Sequence, residues 1–158
     1  INREETTMKL FVTATSLCLA LAAGTATASE PTEKDAIAMV ERGVALIKSK
    51  GKEEMMKRIN AKDPAFVQGS LYIDMRDAKT GIVLAHPINQ SIVGKDLTDV
   101  PDATGKKYRR EIIELAAKSN KGWVDYHYKN PTSGKIEPKT TYIQLVDGVV
   151  LEAGIYKK

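Results

Sequence analysis

The sequence predicts an α+β domain, an antiparallel sheet covered by helices on one side. Three observations predict it. Apolar residues recur at helical spacing as far as Ile59, and the period changes to two from Phe66. The predicted strands follow one another through short turns rich in Gly, Asp, Asn and Pro, which favours antiparallel pairing. The element order reads helix, helix, two strands, helix, three strands.

The first helix opens at Thr32-Glu33-Lys34-Asp35, which has the form of a capping box with Thr32 as N-cap. Ile37, Val40, Val44 and Ile47 then make one apolar stripe, widened by Met39 and Leu46, until Gly51 interrupts it. A short second helix runs through Glu53 to Ile59, with Glu53–Lys57 and Glu54–Arg58 in the favourable i,i+4 order. Its methionines, Met55 and Met56, read as core filler. Leu71 to Met75 alternates as a strand does, Asp77 to Gly81 turns, and Ile82 to His86 forms the second arm of a hairpin ended by Pro87. Residues 91–104 read as a loop. Tyr108, Ile112 and Leu115 mark a third helix that Asn120 and Gly122 close. Trp123 to Tyr128, Ile136 to Val146 and Val149 to Tyr156 complete the strands, with Asp147-Gly148 a tight hairpin turn.

At 158 residues the chain has the length of one domain. Its N-terminal part reads as an export signal. Lys9 is followed by an apolar stretch from Leu10 to Ala23, then by Ala26-Thr27-Ala28, an A-x-A cleavage pattern. Cleavage between Ala28 and Ser29 is expected. Residues 1–28 are then a start-site extension and signal peptide, and residues 29–158 a single domain in the periplasm. The apolar stretch is shorter than the ~20 residues a spanning helix needs, and no later run is long enough to insert in a membrane. Cys18 is the only cysteine, so no disulfide, thiolate nucleophile or cysteine metal site is expected after cleavage. The net charge of +4 is scattered, with no basic run interleaved with aromatics, and nucleic-acid binding gains no support. His86 and His127 are the only histidines, and no nucleophile elbow, zinc motif, dinucleotide fingerprint or phosphate loop appears. The expectation is a protein that is not an enzyme, with no catalytic residues, metal or cofactor.

From Tyr72 to Tyr142 the chain resembles the single Cache domain, a PAS-like extracellular sensor of bacterial chemoreceptors and histidine kinases. The resemblance lies in Leu84-Ala85-His86-Pro87, Val93-Gly94-Lys95-Asp96-Leu97 and Asp102-Ala103-Thr104-Gly105, in that order. It continues through Gly122-Trp123-Val124-Asp125-Tyr126, Asn130-Pro131, Lys135 and Lys139-Thr140-Thr141-Tyr142. Tyr128 departs from it, standing where many relatives carry Trp. The resemblance implies a long N-terminal helix packed on an antiparallel sheet of five to six strands. It also implies a small pocket for a short carboxylate of the pyruvate, lactate, acetate or propionate type. The expected role is a sensor for signal transduction or chemotaxis that informs a membrane receptor or histidine kinase. The alternative is a structural or interaction protein with a Cache-like fold and no ligand.

A carboxylate ligand calls for a cation and neutral donors in a partly dry pocket. Composition alone makes Lys139 an exposed strand lysine; the resemblance makes it the candidate cation. Tyr126 and Tyr128 lie two apart and share a strand face, either donating hydroxyls to the ligand or packing against the sheet. His86, expected inward with Ile82 and Leu84, is either a structural histidine or a pocket residue. Tyr72, on the face opposite Leu71 and Ile73, either lines the pocket or meets water. Trp123 reads as a core anchor. Asp74 is a weaker candidate, because a carboxylate repels an anionic ligand.

Overall fold

A computed structural model of the chain describes residues 29–157. The export segment expected over residues 1–28 lies outside the described residues. Three helices, α1 (Glu33–Lys50), α2 (Lys52–Asn60) and α3 (Tyr108–Ser119), accompany six strands. These are β1 (Val67–Gln68), β2 (Leu71–Asp77), β3 (Val83–Ala85), β4 (Lys121–Lys129), β5 (Ile136–Val146) and β6 (Val149–Tyr156). The sheet is antiparallel throughout, in the order β1-β2-β6-β5-β4, with β3 paired to β2. The two-residue β1 adds to the five strands read along the chain and brings the sheet to six, within the five to six that the resemblance implied. No helix among the described residues is long and apolar enough to cross a membrane.

Local chemistry sets the element ends. The Thr32 side chain accepts from the Asp35 amide while the Asp35 carboxylate accepts from the Thr32 amide, a complete capping box. In α1 the buried face is Ala36, Met39, Val40, Gly43, Val44 and Ile47, and Ile37 lies at its half-buried margin. Glu54 and Arg58 form the expected ion pair on α2, which Arg58 extends to Asp63. Asp147 and Gly148 both take positive φ, 46° and 77°, closing the β5–β6 hairpin on the pair Val146–Val149. That is the geometry whose twist suits a two-residue hairpin.

One expectation fails. The helices do not all lie on one side of the sheet. α1 and α2 pack on the face carrying Ile73, Leu151 and Ala153, with Trp123 half-buried against Tyr142 at its margin. α3 packs on the opposite face, where Ile112 and Ala116 meet Val124, Ile143 and Val150. The reason is visible in β6, whose residues from Val149 to Gly154 are all buried. A central strand buried on both faces requires cover on both. The polar residues of the second face disguise it in sequence as a solvated one.

Between β3 and α3 the chain runs through residues 86–107 with only a short 3-10 turn at Gln90–Ile92. Loops this long are uncommon unless they serve a function. This one is held tightly. Val83 donates to the Lys95 carbonyl and Gly94 to the Val83 carbonyl. The buried Asp102 carboxylate accepts from the amides of Thr104, Lys106 and His127, tying the loop to β4.

Candidate functional site

The α3 face of the sheet carries polar side chains under cover. On β2, Tyr72, Asp74 and Arg76 alternate with Leu71, Ile73 and Met75, so all three polar residues point to one face. Register then sets their neighbours. Glu152 of β6 lies opposite Asp74, and Tyr156, Lys139 and Tyr126 form a row across β6, β5 and β4. From above, Tyr108 of α3 stacks on Tyr126 with ring centroids 3.8 Å apart and planes 6° from parallel. Arg109 lies 4.3 Å from the Tyr108 ring centroid and donates to the Val100 carbonyl.

The five residues proposed from sequence come together here. Tyr72, His86, Tyr126 and Tyr128 border one small cavity with Asp74, Arg76, Tyr108, Arg109 and Glu152. Lys139 is 2 % exposed, which corrects the reading of it as an exposed strand lysine. Its Nζ stands 4.0 Å from the Tyr72 ring centroid, 5.1 Å from that of Tyr156 and 5.5 Å from that of Tyr128. Gly154 makes this position possible. A Cβ there would lie 2.7 Å from Lys139 Cε and 2.2 Å from Thr141 Oγ1. Tyr72 lines the cavity and does not meet water.

His86 is 3 % exposed, but its neighbours differ from expectation. The buried positions of β3 are Val83 and Ala85, whereas Ile82 and Leu84 are half-buried. The hairpin pairs Ala85 with Met75 and Val83 with Arg76, fixing which side turns inward. The His86 Nδ1 accepts from the amides of Ile88 and Asn89 at 3.2 and 3.0 Å. An acceptor at Nδ1 places the ring proton on Nε2. Burial, and secondarily the Lys139 charge, lowers its pKa to about 3, so the ring is a neutral donor.

The electrostatics of the cluster are unbalanced. Arg76 donates through Nε and Nη2 to the two carboxylate oxygens of Glu152, and its Nη2 lies 3.9 Å from Asp74. Burial opposes the Arg76 charge, yet the Glu152 and Asp74 carboxylates hold the guanidinium protonated. Burial raises the Glu152 pKa to about 7 against the pull of Arg76. It raises Asp74 as well, opposed by Arg76, Lys139 and Arg109. Burial lowers Lys139 to about 8, still above neutrality. Two cationic side chains, Arg76 and Arg109, thus border the cavity with two carboxylates, Asp74 and Glu152, and the buried Lys139 is a third cation close enough to interact with both carboxylates. Arg76 Nη1 is buried and has no hydrogen-bond partner among the described residues. Burial also keeps the Tyr72 and Tyr126 hydroxyls protonated. Chemically, such a cluster has the charge and the donors that an anion would require.

The cavity itself holds about 10 Å³, room for about one water molecule. An outer hollow of about 430 Å³ adjoins it, and His86 and Tyr128 border both. Hollows of about 460 and 520 Å³ near Ser70 and Thr132 carry no buried charged side chain. Among the described residues no group of three or more His, Cys, Asp or Glu is placed to hold a metal ion.

Sequence reasoning missed Arg76, Tyr108, Arg109 and Glu152, and it set Asp74 aside. Glu152 carried a usable signal, as a lone carboxylate within Val149-Val150-Leu151-Glu152-Ala153. A charge inside an apolar strand requires a partner. Arg109 carried none, because only the packing of α3 turns it inward.

The family model described as single Cache domain 2 matches residues 21–157. A curated relative, the methyl-accepting chemotaxis protein McpP of Pseudomonas putida, is 30% identical over 76 residues. That match covers 47% of this chain and 14% of the relative, so the chain spans a small part of its length. The crystal structure of a methyl-accepting chemotaxis protein from Vibrio parahaemolyticus superposes with a TM-score of 0.68 at 26% identity. It covers 78% of this chain and 86% of that one. A Cache chemosensory domain solved for the structural basis of its carboxylic acid recognition matches with a TM-score of 0.62 at 20% identity. That match covers 79% of this chain and 88% of the other, and shows likeness of fold.

Proposed function

The chain belongs to the single Cache domain family, whose members are sensing modules and not enzymes, and on that premise we propose that it reversibly binds a short monocarboxylate. One observation carries the reading. The buried site has one more cation than carboxylate, and Arg76 Nη1 in it has no hydrogen-bond partner among the described residues. A monoanion balances the charge, and its oxygens supply the missing acceptor. Lys139, Tyr72, Tyr126, Tyr128 and His86 then act as ligand-binding residues, the tyrosines and the His86 Nε2–H as neutral donors. The ligand passes from the outer hollow between His86 and Tyr128, and the side chains separate to admit it. The solved domain with carboxylic acid recognition shares the fold and supports the ligand class.

A thermal-shift screen against sodium acetate, propionate, lactate, pyruvate and common amino acids tests this. At one hundred times Kd the native state gains about 2.7 kcal/mol, several degrees in Tm. An unchanged Tm throughout the carboxylates would overturn the proposal. The tightness of the cavity would then favour the second reading, an interaction protein with no ligand.

The chemotaxis receptors among the relatives support a role in signal transduction through a membrane partner, a chemoreceptor or histidine kinase. Export, cleavage between Ala28 and Ser29 and residence in the periplasm belong to the same proposal. Mass spectrometry of the envelope fraction should find Ser29 at the N-terminus; an N-terminus at Met8 or a lipidated Cys18 would refute that part.

A further inference from the structure

We propose that the pocket selects 2-hydroxy monocarboxylates, with Asp74 accepting the ligand hydroxyl and Arg76 Nη1 donating to the hydroxyl oxygen. The proposal rests on the carboxylate-binding reading above and adds the identity of the neighbouring group.

The starting point is a carboxylate in the wrong place. Asp74 borders the cavity and is 8 % exposed. Beside a bound carboxylate it repels, unless it holds a donor. Glu152 is already used, taking both of its hydrogen bonds from Arg76. Asp74 differs. Its nearest cationic nitrogen, Arg76 Nη2, lies 3.9 Å away, beyond hydrogen-bond reach, and no hydrogen bond from the described residues reaches its carboxylate. It therefore offers acceptor capacity to whatever enters.

The second observation is independent. Arg76 Nη1 is a buried donor with no hydrogen-bond partner among the described residues, on the same strand face two residues away. An acceptor and a donor thus border one small cavity, while Lys139 and Arg109 supply the charge for a carboxylate. A hydroxyl answers both, since it donates one hydrogen bond and accepts another. An unsubstituted acid can meet Arg76 through its carboxylate oxygens but leaves Asp74 without a donor. A 2-oxo acid answers Arg76 but turns lone pairs toward Asp74. A 2-ammonium acid suits Asp74 but carries no net charge, and the surplus of one cation in the cluster stays unbalanced.

Titration calorimetry with both lactate enantiomers, glycolate, propionate, pyruvate and alanine tests the ranking. One lactate enantiomer should bind about tenfold or more tighter than propionate and pyruvate, because a site built to bond a hydroxyl rejects analogues lacking it. Asp74→Ala should erase that ratio and tighten the binding of propionate, the repulsion having gone. Equal affinity for lactate and propionate in the parent overturns the proposal, as does a preference that survives Asp74→Ala. Alanine binding tighter than lactate also overturns it, assigning Asp74 to an ammonium group. If Asp74→Ala does not fold, the parent ranking still decides, and the near-isosteric Asp74→Asn should lower the ratio. Failure of every acid to bind is a different result and refutes the carboxylate reading itself.

Discussion

Replacing Lys139 with Met should make the protein more stable and a poorer binder at once. The ammonium is fully covered, and burial drops its pKa from 10.5 to about 8. At about 1.4 kcal/mol per pH unit, holding it charged costs about 3 kcal/mol. Met keeps the aliphatic stem and removes the charge. Against this stands the loss of the contacts with the Tyr72, Tyr128 and Tyr156 rings, which return about 0.5–2 kcal/mol. The net expectation for Lys139→Met is about 1–3 kcal/mol of added stability near neutral pH, several degrees in Tm. The sign can be checked against pH. A lysine whose folded pKa is depressed is protonated in the unfolded chain and neutral in the folded one between about 8 and 10.5. Parental stability should therefore rise with pH across that window, by linkage, and the gap to Lys139→Met should close there. Carboxylate binding should weaken by about tenfold or more, the worth of a charge-assisted hydrogen bond. Thermal melts with and without ligand, together with calorimetry, measure both quantities. A variant that melts lower than the parent and binds as tightly would refute the reasoning and make Lys139 a structural cation held by tyrosines.

Anion affinity should fall as pH rises from about 6 to about 9, first as Glu152 ionises near 7 and then, by about tenfold per unit, as Lys139 loses its proton above about 8; a flat profile in calorimetry would count against both assignments. Gly154→Ala should cost about 1–3 kcal/mol in denaturant unfolding, because its Cβ would sit 2.8 Å from the Thr140 carbonyl and 2.7 Å from Lys139 Cε. Arg76→Met should destabilise by about 3–5 kcal/mol through the stranded Glu152 carboxylate, and adding Glu152→Met should recover most of the loss. A single variant as stable as the parent would show that the pair contributes nothing.

The sequence by itself determined the elements. Thr32, Gly51, Asn120 and the Asp147-Gly148 pair fix where helices end and strands turn, because caps and positive-φ positions are local chemistry. Period-two alternation placed Tyr126 with Tyr128, and Tyr72 opposite Leu71, for the same reason. Lys139 and His86 became site residues only through family resemblance, since nothing local separates a pocket lysine from a surface one. The tertiary structure decided the rest. It put α3 on the second face, and that cover turned Tyr72, Asp74 and Arg76 from an apparent solvent face into a buried cluster. It paired Arg76 with Glu152 across strands 76 residues apart in the chain and brought in Arg109 from the helix. Strand order and the side on which a helix packs are non-local, settled by which faces can be buried together. A charge surplus in a dry site depends on those choices, and no single segment carries it.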